Sequence, residues 1–253
     1  MQFASKIVPL SLIGGLACAS AGSQSLTTEP AILSPAGARV VRPVAVREPV
    51  TISAGDLNPS PAATLFDRLA DAVFSIHGSR SRGSGFLITR DGLAITNFHV
   101  IDRQPDLVAR LRDGRSLPVR ILRYDRASDV ALVRLPCAPE CHTLPLGDEA
   151  SFSVGSDVYI VGTPLTDFLS HTLTKGIVSG IRSRNGVTLL QTDAAINRGN
   201  SGGPIVNAAD GTAIAIVSSK LVRDDVEGIG FGITIFDALE VLGVVAWTTT
   251  SGE

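Results

Sequence analysis

The sequence predicts an all-β fold, two six-stranded antiparallel halves with a short helix before them and another at the end. Three observations carry this expectation. About twelve short runs rich in Val, Ile, Leu and Thr recur from residue 72 to residue 235. Turn signals such as Arg90-Asp91-Gly92, Arg112-Asp113-Gly114, Arg184-Asn185-Gly186 and Ala209-Asp210-Gly211 separate many of them. Glycine is abundant, at 25 of 253 residues, whereas aromatic residues make up only 5%. That mixture favours strands and tight turns over a helical bundle.

The chain opens with Lys6 and then an apolar stretch, Ile7 to Ala17. It has the length of a signal-peptide core and falls short of the roughly 20 apolar residues that cross a bilayer. Residues 1–19 are therefore expected to be a leader, and the protein to be exported to a periplasm or the exterior. Two processing readings stand. Ala17-Cys18-Ala19 and Ala19-Ser20-Ala21 fit ordinary cleavage sites, while Leu16-Ala17-Cys18 fits a lipobox that would leave Cys18 lipidated and the protein attached to a membrane. Residues 20–60, with Pro30, Pro35, Pro43, Pro49 and Pro59, read as an unstructured tether.

Phe66, Leu69, Ala70 and Val73 recur at helical spacing, so residues 61–71 are expected to hold a short amphipathic helix. Strands follow at Ala72–His77, Ser84–Thr89, Leu93–Thr96, Leu107–Leu111, Leu117–Tyr124 and Val130–Leu135, a first half over about 72–135. Pro136–Phe152 connects it to a second half over about 153–235. There the strands are Val158–Val161, Leu173–Ile181, Val187–Gln191, Pro204–Val206, Ala213–Ser219 and Gly230–Ile235. Ile235 to Leu242 reads as the closing helix, the folded domain as 61–245 and 246–253 as a tail.

Lys and Arg total 22 against 24 Asp and Glu, a formal charge of -2, which leaves no bulk reason to expect nucleic acid as a partner. Arg110, Arg112, Arg115, Arg120, Arg123 and Arg126 are expected to decorate a solvent face. Asp224, Asp225 and Glu227 read as a solvated loop with too few ligands for calcium. Cys137 and Cys141 flank Ala138-Pro139-Glu140, and in an oxidising compartment they are expected to form a small-loop disulfide. A metal site with His142 is the weaker reading, lacking a fourth ligand. No metal and no cofactor are expected.

The chemistry concentrates in three stretches. Gly199-Asn200-Ser201-Gly202-Gly203-Pro204 sets a serine among glycines, which let successive N–H groups turn toward one point. A serine hydroxyl needs a base to take its proton and donors for the developing oxyanion. The N–H groups of Gly199 and Ser201 are the candidate donors. Thr96-Asn97-Phe98-His99-Val100 places a histidine just after a strand, where a side chain can face a cleft. Ser128-Asp129-Val130-Ala131-Leu132 puts a carboxylate at the start of an apolar strand, where it needs a partner. An imidazole N–H supplies one, and the carboxylate then holds the tautomer. A hairpin glycine loop, a surface histidine and an Asx turn would each explain one stretch alone. All three in the order His, Asp, Ser with strands between them make the triad His99, Asp129, Ser201 the expectation.

These motifs resemble the trypsin-like serine proteases, and most closely their HtrA (Deg) branch. The long match is Gln191 to Pro204, with further similarity at Gly162-Thr163-Pro164 and Gly228-Ile229-Gly230-Phe231-Gly232-Ile233. The resemblance covers about residues 61–243. It implies a chymotrypsin-like pair of barrels, acyl-enzyme hydrolysis of peptide bonds and unfolded polypeptides as substrates. It also raises a trimer, left open here, and this chain is read as a protease domain without a PDZ domain. By the same resemblance Ala195 stands at the pocket floor, beside Ile196, with Ile216, Val217 and Ser218 as wall candidates. Without a carboxylate there, small or aliphatic P1 side chains are expected rather than Arg or Lys. Asn200 stands where digestive relatives carry an acid, so activation by a new N-terminus is not expected. A weakly hydrolytic chaperone or binding module is the alternative. A hydrolase of esters rather than peptides, which the same acyl chemistry permits, is a third and disfavoured reading.

Overall fold

The computed structural model describes residues 50–53, 65–163, 171–184, 186–220 and 228–247. The expected leader, Cys18, most of the expected tether and the Asp224, Asp225 and Glu227 loop lie outside the described residues. In chain order the first elements are β1 (Val50–Ser53), α1 (Leu65–Ala72), β2 (Val73–His77), β3 (Arg82–Leu87) and β4 (Leu93–Thr96). A one-turn α2 (Phe98–Ile101) leads to β5 (Val108–Arg110), β6 (Ser116–Pro118), β7 (Arg120–Asp125) and β8 (Val130–Arg134). A 3₁₀ turn at Glu149–Ser151 precedes β9 (Asp157–Gly162), β10 (Thr172–Arg184), β11 (Val187–Thr192) and β12 (Pro204–Asn207). Last come β13 (Ala213–Lys220), β14 (Gly230–Thr234), α3 (Ile235–Val241) and β15 (Val244–Trp247).

The second half is the expected closed six-stranded barrel, in the order β10-β11-β14-β13-β12-β9. The first half differs in count: it is a seven-stranded sheet, ordered β6-β5-β2-β3-β4-β8-β7. Leu117–Tyr124, read as one strand, divides after Pro118: β6 pairs with β5 through Pro118, and Val119 N–H extends that ladder to Leu107 O at 3.0 Å. From Arg120 the chain pairs with β8 instead, as β7. β1, inside the stretch expected as a tether, pairs in parallel with β15.

Three apolar clusters account for the packing. Phe74, Ile76, Leu87, Ala94, Ala131 and Val133 fill the first sheet, and Val158, Ile160, Leu190, Ile205 and Val217 fill the barrel. A third cluster lies between the halves and under α3, with Phe86, Ile95 and Leu132 from the sheet and Val161, Val206 and Ile216 from the barrel. β4 and β8 are therefore buried on both faces, their alternate side chains serving two different cores. This explains why they read as continuous apolar runs. A fully buried Leu or Ile contributes about 2 kcal/mol each.

Two of the arginines expected to face solvent act as ties. Arg112 donates to Asp67 Oδ1 at 2.7 Å and to Asp71 Oδ1 at 3.1 Å, and its guanidinium lies 5.3 Å from the Phe66 ring centre. These contacts pin α1 to the β5–β6 turn, and the two carboxylates raise the Arg112 pKa further. Arg123 Nη1 donates to Leu242 O at 3.0 Å and Gly243 O at 2.9 Å, placing a cation on the carbonyls that end α3.

His171 joins the halves. Its Nε2–H donates to Val73 O at 3.0 Å. Burial pushes its pKa below the ordinary value, opposed by that hydrogen bond and by Asp71 and assisted by Arg112. The neutral ring is the folded form, while the unfolded chain binds a proton from about pH 6.5 downward. Stability from this group is therefore present above that pH and is lost as the pH falls below it. Melting temperatures across that range should decline toward acid, and His171→Gln, which keeps a donor without a titrating ring, should flatten the decline. An identical acid slope in both proteins would remove His171 from the account.

Candidate active site

The seam between sheet and barrel gathers the three chemical stretches. α2 starts directly after β4 and carries His99, expected on a turn and found on a single helical turn. Phe98, Val100 and Ile101 are buried around it, so the helix is anchored on three sides and only His99 is exposed, with half of its side-chain surface open. Asp129 precedes β8 with φ of 55°, a left-handed conformation that an aspartate tolerates better than most residues. Its carbonyl oxygen accepts Phe98 N–H at 3.3 Å and Asn97 Nδ2 at 2.9 Å, which holds that conformation.

The Asp129 carboxylate faces His99 with both oxygens. Oδ1 accepts the His99 backbone N–H at 2.9 Å, and Oδ2 lies 2.8 Å from Nδ1. A third donor reaches it from the other half, Ser218 Oγ to Oδ2 at 3.3 Å. With Nδ1–H directed at the carboxylate, Nε2 is the nitrogen left to accept a proton. This is the geometry a general base requires.

Ser201 is brought in by backbone contacts. Its carbonyl accepts Ser84 N–H at 2.8 Å, a bond between the barrel's serine turn and β3. Gly202 has φ of 86°, and a Cβ there would stand 2.2 Å from Ser84 O and 2.4 Å from Thr96 Oγ1. Only glycine fits, so the backbone just after Ser201 lies against the strand end that leads into His99. Ser201 Oγ makes no hydrogen bond to a described residue. Such contacts commonly tighten only when substrate is present.

Gly199 has φ of 102°. Among the described residues neither Gly199 N–H nor Ser201 N–H donates to a backbone acceptor, whereas Asn200 N–H between them is bound to Asn197 O at 3.1 Å. The two candidate donors are thereby left for an outside oxygen. Asn200 itself is buried, its amide lying where a side chain at Gly162 would be.

The pocket candidates separate. Ala195 is exposed, and its carbonyl accepts Thr174 Oγ1 at 3.0 Å. Ile196 is buried in the barrel core against Gly230. Ile216 and Val217 are fully buried in different clusters, Ile216 in that between the halves and Val217 in the barrel. Ser218 is partly open and turns to Asp129, a contact that sequence alone did not assign. Asp193, two residues before Ala195, is already bound, its Oδ1 accepting Ile177 N–H at 2.7 Å. The sulfurs of Cys137 and Cys141 lie 1.91 Å apart, buried just after β8.

The closed barrel and the seven-stranded half-barrel sheet beside it place the fold in the chymotrypsin-like class. Residues 83–216 match the family model described as trypsin-like peptidase domain, and the chain belongs to that family. It is 40% identical over 167 residues to the probable periplasmic serine endoprotease DegP-like of Halomonas elongata, which covers 64% of this chain and 34% of that one. It is 38% identical over 175 residues to the putative serine protease HhoA of Synechocystis sp., covering 65% and 43%. The solved HtrA-type protease AlgW with tripeptide superposes with a TM-score of 0.64 at 31% identity, covering 70% of this chain and 60% of that one. The chain thus spans less than half the length of these two curated relatives.

Proposed function

We propose that this protein is a serine endopeptidase in which His99, Asp129 and Ser201 form the triad and the N–H groups of Gly199 and Ser201 bind the oxyanion, within a protease domain at 61–245. One observation carries the reading: the Asp129 carboxylate holds His99 by two hydrogen bonds, at 2.9 and 2.8 Å, which engage Nδ1 and leave Nε2 as the nitrogen that can accept a proton. In the reaction Nε2 takes the Ser201 proton as Oγ attacks the scissile carbonyl. The resulting imidazolium is stabilised by Asp129 and returns the proton to the leaving amine. A water then repeats the sequence on the acyl-enzyme.

The substrates are unfolded polypeptides of the cell envelope, cut after small or aliphatic residues. Supporting this preference, Ala195 offers no charge and Asp193 is committed to a backbone donor. The relative described as periplasmic supports export. In that oxidising compartment Cys137 and Cys141 form a disulfide, and lipidation at Cys18 would tether the protein to a membrane.

The test is digestion of unfolded casein, followed by labelling with a fluorophosphonate and identification of the cleaved bonds. Cleavage after Val, Ala or Ile is expected, with the label on Ser201. Cleavage mainly after Arg or Lys would reject the pocket assignment. A label on another residue, or no hydrolysis at all, would reject the triad in favour of a binding module.

A further inference from the structure

Ser84 lies in the middle of β3, fully buried, with glycine on either side. A hydroxyl so placed must be partnered, and its partners lie in the serine turn and at the end of β9. Ser84 Oγ donates to Gly199 O at 2.6 Å. It accepts Thr163 N–H at 3.0 Å and lies 2.9 Å from Thr163 Oγ1. A hydroxyl has one proton, so donation to Gly199 O makes Thr163 Oγ1 the donor in the last pair. The backbone of the same residue holds Ser201, Ser84 N–H donating to Ser201 O at 2.8 Å.

Gly199 O belongs to the peptide unit whose N–H is that of Asn200. The unit is fixed at both ends, its carbonyl by Ser84 Oγ and its N–H by Asn197 O. Rotating it would break both of these buried hydrogen bonds. We propose that Ser84 is a positioning residue of the oxyanion hole. Its hydroxyl sets the orientation of the Gly199–Asn200 peptide, so that Gly199 N–H and Ser201 N–H converge on one oxygen. The inference rests on the proposed triad and adds a residue from the opposite half of the molecule.

A donor acting at the transition state shifts kcat and leaves ground-state binding alone. Ser84→Ala should lower kcat on a peptide substrate by about 10- to 100-fold, less than the 10²–10³ of deleting an oxyanion donor outright, with KM nearly unchanged. Affinity for a peptide boronate, which forms a tetrahedral adduct with Ser201, should fall in proportion to kcat. Binding of the uncleaved peptide, measured in the Ser201→Ala background, should not move. Ser84→Cys, a weak donor of similar size, should fall between parent and Ser84→Ala, and it carries the test if Ser84→Ala does not fold. Retained kcat, or equal losses of boronate and ground-state binding, would overturn the inference while leaving the triad intact. Hydrolysis by Ser201→Ala at the parent rate would overturn both.

Discussion

Ser201→Ala should lower the hydrolysis of unfolded casein by about 10⁶-fold, the loss seen when a triad nucleophile is removed. The physical reason is that the oxyanion donors and the His99–Asp129 pair have nothing to act on without an attacking oxygen at position 201. The substitution removes one hydroxyl, on a half-buried residue, that makes no hydrogen bond to a described residue, and it retains the backbone bond from Ser84 N–H to Ser201 O. Folding should accordingly be preserved, with a melting temperature close to that of the parent. Rates on casein together with the melting curve check this, and hydrolysis within tenfold of the parent would assign the nucleophile elsewhere.

For Asp129→Asn the expected loss in kcat is about 10⁴-fold, from a change of one atom in the carboxyl group. Three donors now meet the carboxylate: His99 N–H at 2.9 Å, Nδ1–H at 2.8 Å and Ser218 Oγ at 3.3 Å. An amide has only one acceptor oxygen. If that oxygen takes the backbone N–H, the amide N–H₂ faces Nδ1, which must then be the unprotonated nitrogen. The proton moves to Nε2, the atom that has to accept from Ser201. The imidazolium of the transition state also loses its counter-charge. Backbone contacts at this position run through the Asp129 carbonyl, accepting Asn97 Nδ2 and Phe98 N–H, and survive the change. A kcat near that of the parent, on a protein with unchanged circular dichroism, would remove Asp129 from the mechanism.

Much of the architecture was legible because the strands carry their own signals. Leu93–Thr96 has the same limits in the sequence reading and the structure, since three apolar residues and a β-branched Thr between Gly92 and a polar Asn97 favour a short buried strand. Ile235–Val241 was similarly clear as a helix. Where the reading departed, a single local feature decided. One apparent strand changes partner after Pro118, from β5 to β8, and the ladder between β1 and β15 joins segments with no mutual sequence signal. Arg112 and Arg123 look like solvent-facing charges in any local view. Their partners, Asp67, Asp71, Leu242 and Gly243, are far away along the chain.

The candidate site divides in the same way. His99, Asp129 and Ser201 could be singled out in advance as candidates, because the three motifs occur together in the order His, Asp, Ser, and the structure brings the Asp129 carboxylate against His99. Ser84 could not be named, since its acceptor at Gly199 is 115 residues away. The available hint was a polar residue between glycines in a strand otherwise apolar, a hydroxyl in want of a partner. Ser218 was singled out for the pocket wall, yet its hydroxyl is placed by the β13 register to meet Asp129.

Residue type and periodicity alone determined most of the strands, and the candidate chemical groups and their order, because those follow from side-chain alternation, turn propensity and functional-group reactivity. Tertiary structure alone decided how the groups face one another: which half closes into a barrel, which peptide is pinned by Ser84 and where the carboxylate of Asp129 points. Hydrogen-bond partners are chosen by distances in space, and burial penalises every polar group left without one. Spacing along a chain does not encode those distances.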